Sequence, residues 1–162
     1  AHFACSNLDH RHFDGAIWMV DYHRAHRDLD EDFKVQLDAE GAHMFTDEML
    51  SEIVSSLDAI GSTRDEEQVL FFEPPSVSSR IINQHACFSV QIGQCKSMGD
   101  WLNEHEGFWK KIIIPKELKW EIRDKLDQSN ITERVLFPGL DGMCAWLARQ
   151  YFPRIDDSNV HV

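Results

Sequence analysis

The sequence has few basic residues and no long apolar run. Lysine and arginine number 16 against 28 aspartates and glutamates, so the formal net charge is −12. Nucleic-acid binders gain affinity from basic residues that neutralise phosphates, so this charge argues against a nucleic-acid surface. A local basic group is the remaining alternative, and it comprises Lys110, Lys111, Lys116 and Lys119. No apolar stretch approaches the ~20 residues that a membrane-spanning helix needs, so we expect no membrane partner.

The sequence also lacks the cysteine and histidine spacings of metal sites. Its cysteines are scattered and form no C-x-x-C pair: Cys5, Cys87, Cys95 and Cys144. They are typical of small buried residues in a reducing compartment, which predicts the cytoplasm. Two polar segments contain the candidate metal ligands His10, His12, Asp21, His23 and His26. The spacing of these residues does not match a zinc motif. We therefore predict no metal site and interpret these imidazoles as neutral surface groups.

Apolar residues make up 43% of the chain and include five Trp and ten Phe, enough for a hydrophobic core. Hydrophobic patterning predicts strands over residues 15–22, 69–73, 87–92 and 110–114. The first is apolar throughout and is predicted to be central, whereas residues 23–45 are acidic and predict a surface insertion or mobile loop. Without repeats or Gly/Ser linkers, residues 1–162 predict one α+β unit, with small mixed or antiparallel sheets flanked by helices.

Helix starts and ends are predicted from capping residues. Thr46 is a good N-cap for a helix that would end at Gly61. Further helices are predicted from Asp100 and from Pro115, and Asn130 is predicted to end the latter in the left-handed conformation. A last helix is predicted after residues 138–139, with an apolar stripe formed by Leu140, Met143, Cys144, Leu147 and Tyr151.

A polar run between two apolar strands is the strongest indication of a binding site. Pro74 and Pro75 should end the first strand, and the side chains that follow include Arg80, Asn83, Gln84 and His85. Polar groups on a connection held by strands often form a ligand site, so we expect them to line a solvent-accessible cleft. In the alternative interpretation, Arg80 pairs with a nearby carboxylate and the amides cap loop backbone. A Cys87 nucleophile activated by His85 is not expected.

Several stretches of the sequence carry a family resemblance. Glu-Pro-Pro at 73–75, followed by Arg-Ile-Ile-x-Gln at 80–84 and then Phe88, resembles the second half of the FRG domain. The stretches 3–5 with 14–18, and 136–143, are similar to other segments of that family in the expected order. The Phe-Arg-Gly motif itself is absent. The resemblance therefore predicts the C-terminal portion of a single FRG-type domain, with the N-terminal remainder as its partner. Because residue 1 is expected to fall inside a helix, we also expect an apolar surface around Phe3 and Trp18 that another segment of polypeptide covers.

FRG domains occur in bacterial and phage proteins, and their layout is similar to that of ADP-ribosyltransferases. The resemblance thus implies that the protein binds a nucleotide-like ligand such as NAD. An enzyme that cleaves NAD or transfers ADP-ribose is the more specific function that it implies. The implied ligand-binding residues are Arg80, Asn83, Gln84, His85 and Phe88, and the implied catalytic candidates are Glu73 and Gln84. Phe88 and Trp18 are expected either to stack on a ligand ring or, more simply, to belong to the core. The alternative function is a non-catalytic module that recognises a protein or effector.

Overall fold

The structure is a computed structural model that describes residues 1–6, 12–56, 67–93 and 97–151. Its strands are β1 (Gly15–Val20), β2 (Phe45–Thr46), β3 (Gln68–Glu73), β4 (Phe88–Ile92) and β5 (Trp109–Ile114). Its helices are α1 (His2–Ser6), α2 (Tyr22–Ala25), α3 (Glu31–Glu40), α4 (Asp47–Ile53), α5 (Ser79–Gln84), α6 (Met98–Glu104), α7 (Lys119–Gln128), α8 (Glu133–Leu136) and α9 (Leu140–Tyr151). Short 3-10 turns follow α2 at His26–Asp28 and precede α7 at Lys116–Leu118. The predicted α+β class is confirmed.

The strands form two small sheets. β1 and β5 pair antiparallel, with Gly15 opposite Ile114 at one end of the ladder. In the other sheet the order is β2-β3-β4, with β2 parallel and β4 antiparallel to β3. The prediction that residues 15–22 form a central strand is wrong, because in the part of the chain that the structure describes β1 pairs with β5 alone, in a two-stranded sheet. The strand ends at Val20, and the Asp21 carboxylate accepts a hydrogen bond from the Arg24 backbone N–H, which begins α2.

The main core lies on the three-stranded sheet and is built largely from the segment that was predicted to be a loop. Leu29, Phe33 and Leu37 are buried there and belong to one cluster with Phe45 and Leu70. Phe33 and Leu37 are four residues apart and share one face of α3, and Leu29 lies in the extended segment that precedes this helix. The loop prediction for residues 23–45 was wrong because the acidic residues between these three positions obscured the pattern.

Capping predictions were accurate at several helix ends. Thr46 Oγ1 accepts a hydrogen bond from Met49 N–H at 3.3 Å, which confirms Thr46 as the N-cap of α4. That helix ends at Ile53 and not at Gly61, which lies outside the described residues. Asn130 is left-handed with φ 59°, as predicted. The helix expected from Asp100 begins two residues earlier, because Ser97 caps it.

Large apolar side chains are exposed at several places on the molecule. The stripe of α9 does not pack into a core: Leu140 is 82% exposed and Tyr151 is 83% exposed. The core prediction for Trp18 and Phe88 is also wrong, since these rings are 48% and 47% exposed. Phe3 is exposed as well, so both side chains around which the apolar surface was expected are accessible; that another segment covers them stays a prediction.

Candidate functional site

The polar run that was predicted to be a loop is a short helix, α5. Ser78 Oγ accepts a hydrogen bond from Ile81 N–H at 3.3 Å and caps its first turn. His85 ends the helix with φ 47° and ψ 52°, a left-handed conformation that is uncommon for residues other than glycine. The connection between β3 and β4 therefore has a defined backbone, which orients the side chains of Asn83 and Gln84.

The two amide side chains of α5 hold α8 in place. Asn83 Nδ2 donates a hydrogen bond to the Val135 carbonyl at 2.7 Å, and Gln84 Nε2 donates one to the Leu136 carbonyl at 2.9 Å. The final carbonyls of a short helix lack partners within it, so these amides satisfy groups that would otherwise be unpaired. The alternative interpretation from the sequence was that these amides cap loop backbone. They do bond backbone, but the carbonyls that they bond belong to α8 and lie 52 residues away in sequence.

Arg80 is exposed and lies against an aromatic ring. Its guanidinium carbon is 5.0 Å from the ring centroid of Phe137, within the range of a cation–π contact. Among the described residues Arg80 has no carboxylate partner within salt-bridge distance, so the predicted alternative of a local ion pair does not describe it. Phe137 follows α8 directly, and its position depends on the hydrogen bonds from Asn83 and Gln84.

Phe137 lines a cavity of about 470 Å³ between α1, α8 and α9, which we call the aromatic cleft. Its lining residues are His2, Phe3, Ser6, Arg123, Glu133, Phe137, Ala145, Ala148 and Arg149. The Phe3 and Phe137 rings meet edge to face with centroids 5.9 Å apart. This cleft was not predicted from the sequence, although Phe3 and the 136–143 stretch that contains Phe137 both belong to the segments that resemble the FRG family.

The polar side of the aromatic cleft is an ion network with balanced charge. Arg149 donates two hydrogen bonds to the Asp127 carboxylate at 2.7 Å and two to Glu133 at 2.9 Å, and Arg123 also pairs with Glu133. Burial alone would raise the pKa of Glu133, but the hydrogen bonds from Arg149 and the nearby cations lower it below its usual value. Burial alone would lower the pKa of Arg149, and its two carboxylate partners raise it instead. The network therefore stays charged.

Two buried nitrogen atoms in the residues lining this cleft have no hydrogen-bond partner among the described residues. They are His2 Nε2 and Arg123 Nε. Burial and the neighbouring Arg123 charge lower the pKa of His2, so the ring is neutral near pH 7. Its other nitrogen, Nδ1, lies 3.0 Å from Ser6 Oγ. Because buried polar atoms normally have a partner, the polar side of the cleft has hydrogen-bonding capacity that a bound molecule or water can use.

The remaining predicted site residues lie elsewhere. Glu73 and His85 line a separate cavity of about 450 Å³ together with Cys87. Burial and the Glu73 charge raise the pKa of the Cys87 thiol, which disfavours a thiolate there. Phe88 is on β4, where its ring meets Phe72 edge to face at 5.8 Å. The structure therefore does not bring Glu73, His85 or Phe88 to the ring that Arg80 contacts.

The histidine-rich segments have a structural role at one position. His26, interpreted from the sequence as a surface imidazole, is buried: its Nδ1–H donates to the His43 carbonyl at 3.1 Å and its Nε2 accepts from Phe71 N–H at 3.0 Å. His10 and Cys95 lie outside the described residues. Within the described ranges, no group of three or more His, Cys, Asp or Glu side chains is arranged to hold a metal ion.

Comparison with family models, with curated protein sequences and with solved structures found no match for this chain. The FRG resemblance therefore remains a prediction from the sequence. Among the helices that the structure describes, none has the length and apolar character to cross a bilayer.

Proposed function

We propose that this protein binds a nucleotide-like small molecule, such as NAD, in the aromatic cleft. The observation that carries this proposal is the contact between Arg80 and Phe137, because it places an exposed guanidinium against a ring that lines a cavity of about 470 Å³. Small-molecule sites usually have volumes of roughly 300–1,000 Å³, mostly apolar walls and a few polar groups. The aromatic cleft has this composition.

Each part of a nucleotide has a matching group at this site. The Phe3 and Phe137 rings offer faces and edges on which a flat heterocycle can pack. Arg80 has a planar fork that can donate two hydrogen bonds to a pyrophosphate. The charges of Arg123 and Arg149 are already matched by carboxylates, so that side of the cleft favours neutral polar groups such as hydroxyls or a carboxamide. The residues that line the cleft, together with Arg80 beside Phe137, therefore fit NAD.

The roles differ from those that the sequence alone suggested. Asn83 and Gln84 act through α8 to position Phe137, and we assign them no ligand contact through the nitrogens that bond α8. Glu73 lies in a separate cavity from Phe137, so our proposal is binding rather than catalysis at the aromatic cleft. An ADP-ribosyltransferase-like reaction is the narrower form of the proposal, and it rests on the FRG resemblance. A cytoplasmic location belongs to the same proposal and is supported by the free thiols of Cys5, Cys87 and Cys144.

Calorimetric titration with NAD tests the proposal. Replacing Arg80 with Ala should weaken binding by about ten- to a hundredfold, because it removes a charge-assisted contact. Arg80→Lys should recover part of the affinity, since an ammonium keeps the charge but not the two-pronged geometry. Arg134→Ala is the matched control: its guanidinium also lies over an aromatic ring, 4.7 Å from Trp146, but that ring, unlike Phe137, does not line the cleft. The control variant should bind NAD like the wild type.

A second function is favoured by a different observation, the exposed apolar stripe of α9. A contiguous apolar patch of this kind is typical of a surface that recognises another protein. The titration distinguishes the two functions. Equal NAD affinity in the wild type and both Arg80 variants, or no binding by the folded wild type, would overturn the ligand site and leave the recognition module as the better proposal.

A further inference from the structure

A second cavity, of about 360 Å³, lies between the α2 segment, α3 and the turn after α3, and we call it the basic cleft. Its lining residues are His23, His26, Arg27, Lys34, Leu37, Asp38, Gly41, Ala42 and His43. None of them lines the aromatic cleft, and the sequence analysis assigned ligand binding to none of them. The basic cleft is therefore a separate candidate site.

The backbone around the basic cleft is fixed by buried groups. His26 bridges the His43 carbonyl and the Phe71 N–H, so it joins the turn after α3 to strand β3. Burial lowers the pKa of His26 to about 4, so this ring is neutral near pH 7 and contributes structure rather than charge. Gly41 is left-handed with φ 60°, and Ala42 N–H donates to the Leu37 carbonyl at 2.9 Å. A cleft framed in this way is formed before any ligand binds.

Two cationic side chains and three imidazoles face the basic cleft, beside apolar residues and a carboxylate. Arg27 and Lys34 carry fixed positive charges, and the rings of His23 and His43 meet edge to face with centroids 4.9 Å apart. Asp38 is the carboxylate in the lining. A further carboxylate, Glu31, pairs with the Lys34 ammonium at 3.2 Å but is 82% exposed, so water screens this pair and it competes weakly for the ammonium.

We propose that the basic cleft binds the phosphate group of a small phosphorylated molecule. A guanidinium provides paired donors for phosphate oxygens, an ammonium provides a point charge, and imidazole N–H groups add neutral or charged donors. The cavity is larger than one phosphate, and Asp38 can accept a hydrogen bond from a hydroxyl group beside it. A phosphate ester of a hydroxylated molecule, for example a sugar phosphate, therefore fits better than inorganic phosphate alone.

Titration of the ¹⁵N-labelled protein with inorganic phosphate and with ribose 5-phosphate, followed by NMR, tests this site. We expect saturable shifts at His23, Arg27 and His43, with the ester binding several-fold more tightly. Arg27→Gln and Lys34→Gln should each weaken binding about tenfold or more. Arg27 is exposed and Lys34 is partly exposed, so neither substitution disturbs the core. If one of the two variants fails to fold, the other still tests the site. Lys110→Gln removes the same charge from β5, outside the basic cleft, and should have no effect.

The proposal is overturned if the ligand shifts fall outside the basic cleft, or if Lys110→Gln weakens binding as much as Arg27→Gln. The second result would mean that phosphate responds only to overall charge. Arg80→Ala should leave phosphate binding at the basic cleft unchanged, and Arg27→Gln should leave NAD binding at the aromatic cleft unchanged. Failure of one site is therefore distinguishable from failure of the other.

Discussion

The side-chain amide of Gln84 donates a hydrogen bond to the backbone carbonyl of Leu136 at 2.9 Å, and this bond joins two helices that lie 52 residues apart in sequence. Asn83 makes the parallel bond to Val135. Phe137 follows directly, and its ring receives the Arg80 guanidinium. The helix between β3 and β4 therefore both positions the aromatic wall of the cleft and supplies the cation beside it.

Loss of either amide should destabilise the fold more than it affects ligand affinity. We expect Asn83→Ala and Gln84→Ala each to lower the free energy of unfolding by about 1 kcal/mol, because each variant leaves a carbonyl of α8 without its partner. Urea denaturation measures this change. Gln128→Ala, at an exposed position at the end of α7, is the control and should change stability little. An unchanged denaturation midpoint for both α5 variants would show that these bonds do not hold α8.

A methyl group at Gly142 should be poorly tolerated. A Cβ there would contact the Phe137 carbonyl and would lie 2.7 Å from the Glu133 carbonyl, so α9 would have to move away from α8. We expect Gly142→Ala to lower the free energy of unfolding by about 2–3 kcal/mol. Gly99→Ala in α6 is the matched control: among the described residues its added methyl meets only Ser97 Oγ, at 3.6 Å, and alanine is the better helix former. The melting temperature of Gly142→Ala should therefore be lower than that of the wild type, and the melting temperature of Gly99→Ala should be equal to it or higher. Equal melting temperatures for the two variants would contradict the close approach of α9 to α8.

The Arg149 network should not accept lysine. Arg149 donates to Asp127 and Glu133 through a geometry that an ammonium cannot reproduce, and its side chain is largely buried. We expect Arg149→Lys to cost about 3 kcal/mol in urea denaturation, because buried carboxylates would lose hydrogen bonds. Lys125→Met breaks an exposed pair with Glu121 on α7 and should have little effect, since water already solvates both groups. An equal decrease in the free energy of unfolding of Arg149→Lys and Lys125→Met would contradict a stabilising role for the buried Arg149 network.

Stability should fall as the pH decreases from about 6.5 to about 4. Burial lowers the pKa of His26 from 6.5 to about 4, so the unfolded chain binds a proton more readily than the folded protein in this range. The free energy of unfolding therefore has its full value, as far as His26 is concerned, above pH 6.5. It decreases by about 2–3 kcal/mol as the pH falls to about 4. His2 contributes in the same direction, because burial also lowers its pKa.

Urea denaturation at pH 7, 6 and 5 measures this dependence. His26→Gln should be less stable at pH 7, because it loses the bridge between His43 and Phe71, and its stability should vary less with pH than that of the wild type. A wild-type free energy of unfolding that is constant between pH 7 and pH 5 would contradict the buried neutral state of His26.

The elements that sequence analysis predicted well are those with strong local signals. The strands containing Leu70, Ile92 and Ile114 have apolar runs bounded by polar or proline residues, and Thr46 and Asn130 are conventional cap residues. The segment of Leu29, Phe33 and Leu37 was misinterpreted because its apolar residues are sparse and separated by acids. Its burial depends on β3 and β4, which are distant in sequence and supply the partner surface.

The surroundings of Arg80 were predicted in part, and a role for Arg80 in ligand binding stays a prediction. Arg80 is exposed and near an aromatic ring, as a ligand-binding interpretation requires, but its partner Phe137 lies far along the chain and no local pattern connects the two. The two prolines and the polar composition suggested a loop, whereas the Ser78 cap is enough to begin a helix of six residues. The basic cleft was missed because its histidines were considered only as metal ligands.

The pairing of Gly15 with Ile114 has a consequence for how the chain folds. All three strands of the other sheet lie between these two residues in sequence, so the β1–β5 ladder closes a very long loop and forms only long-range contacts. During synthesis, β1 leaves the ribosome long before β5, and its apolar side chains have no strand partner in that interval. Assembly of the sheet of β2, β3 and β4 shortens the effective loop, and we therefore expect it to precede closure of the β1–β5 ladder.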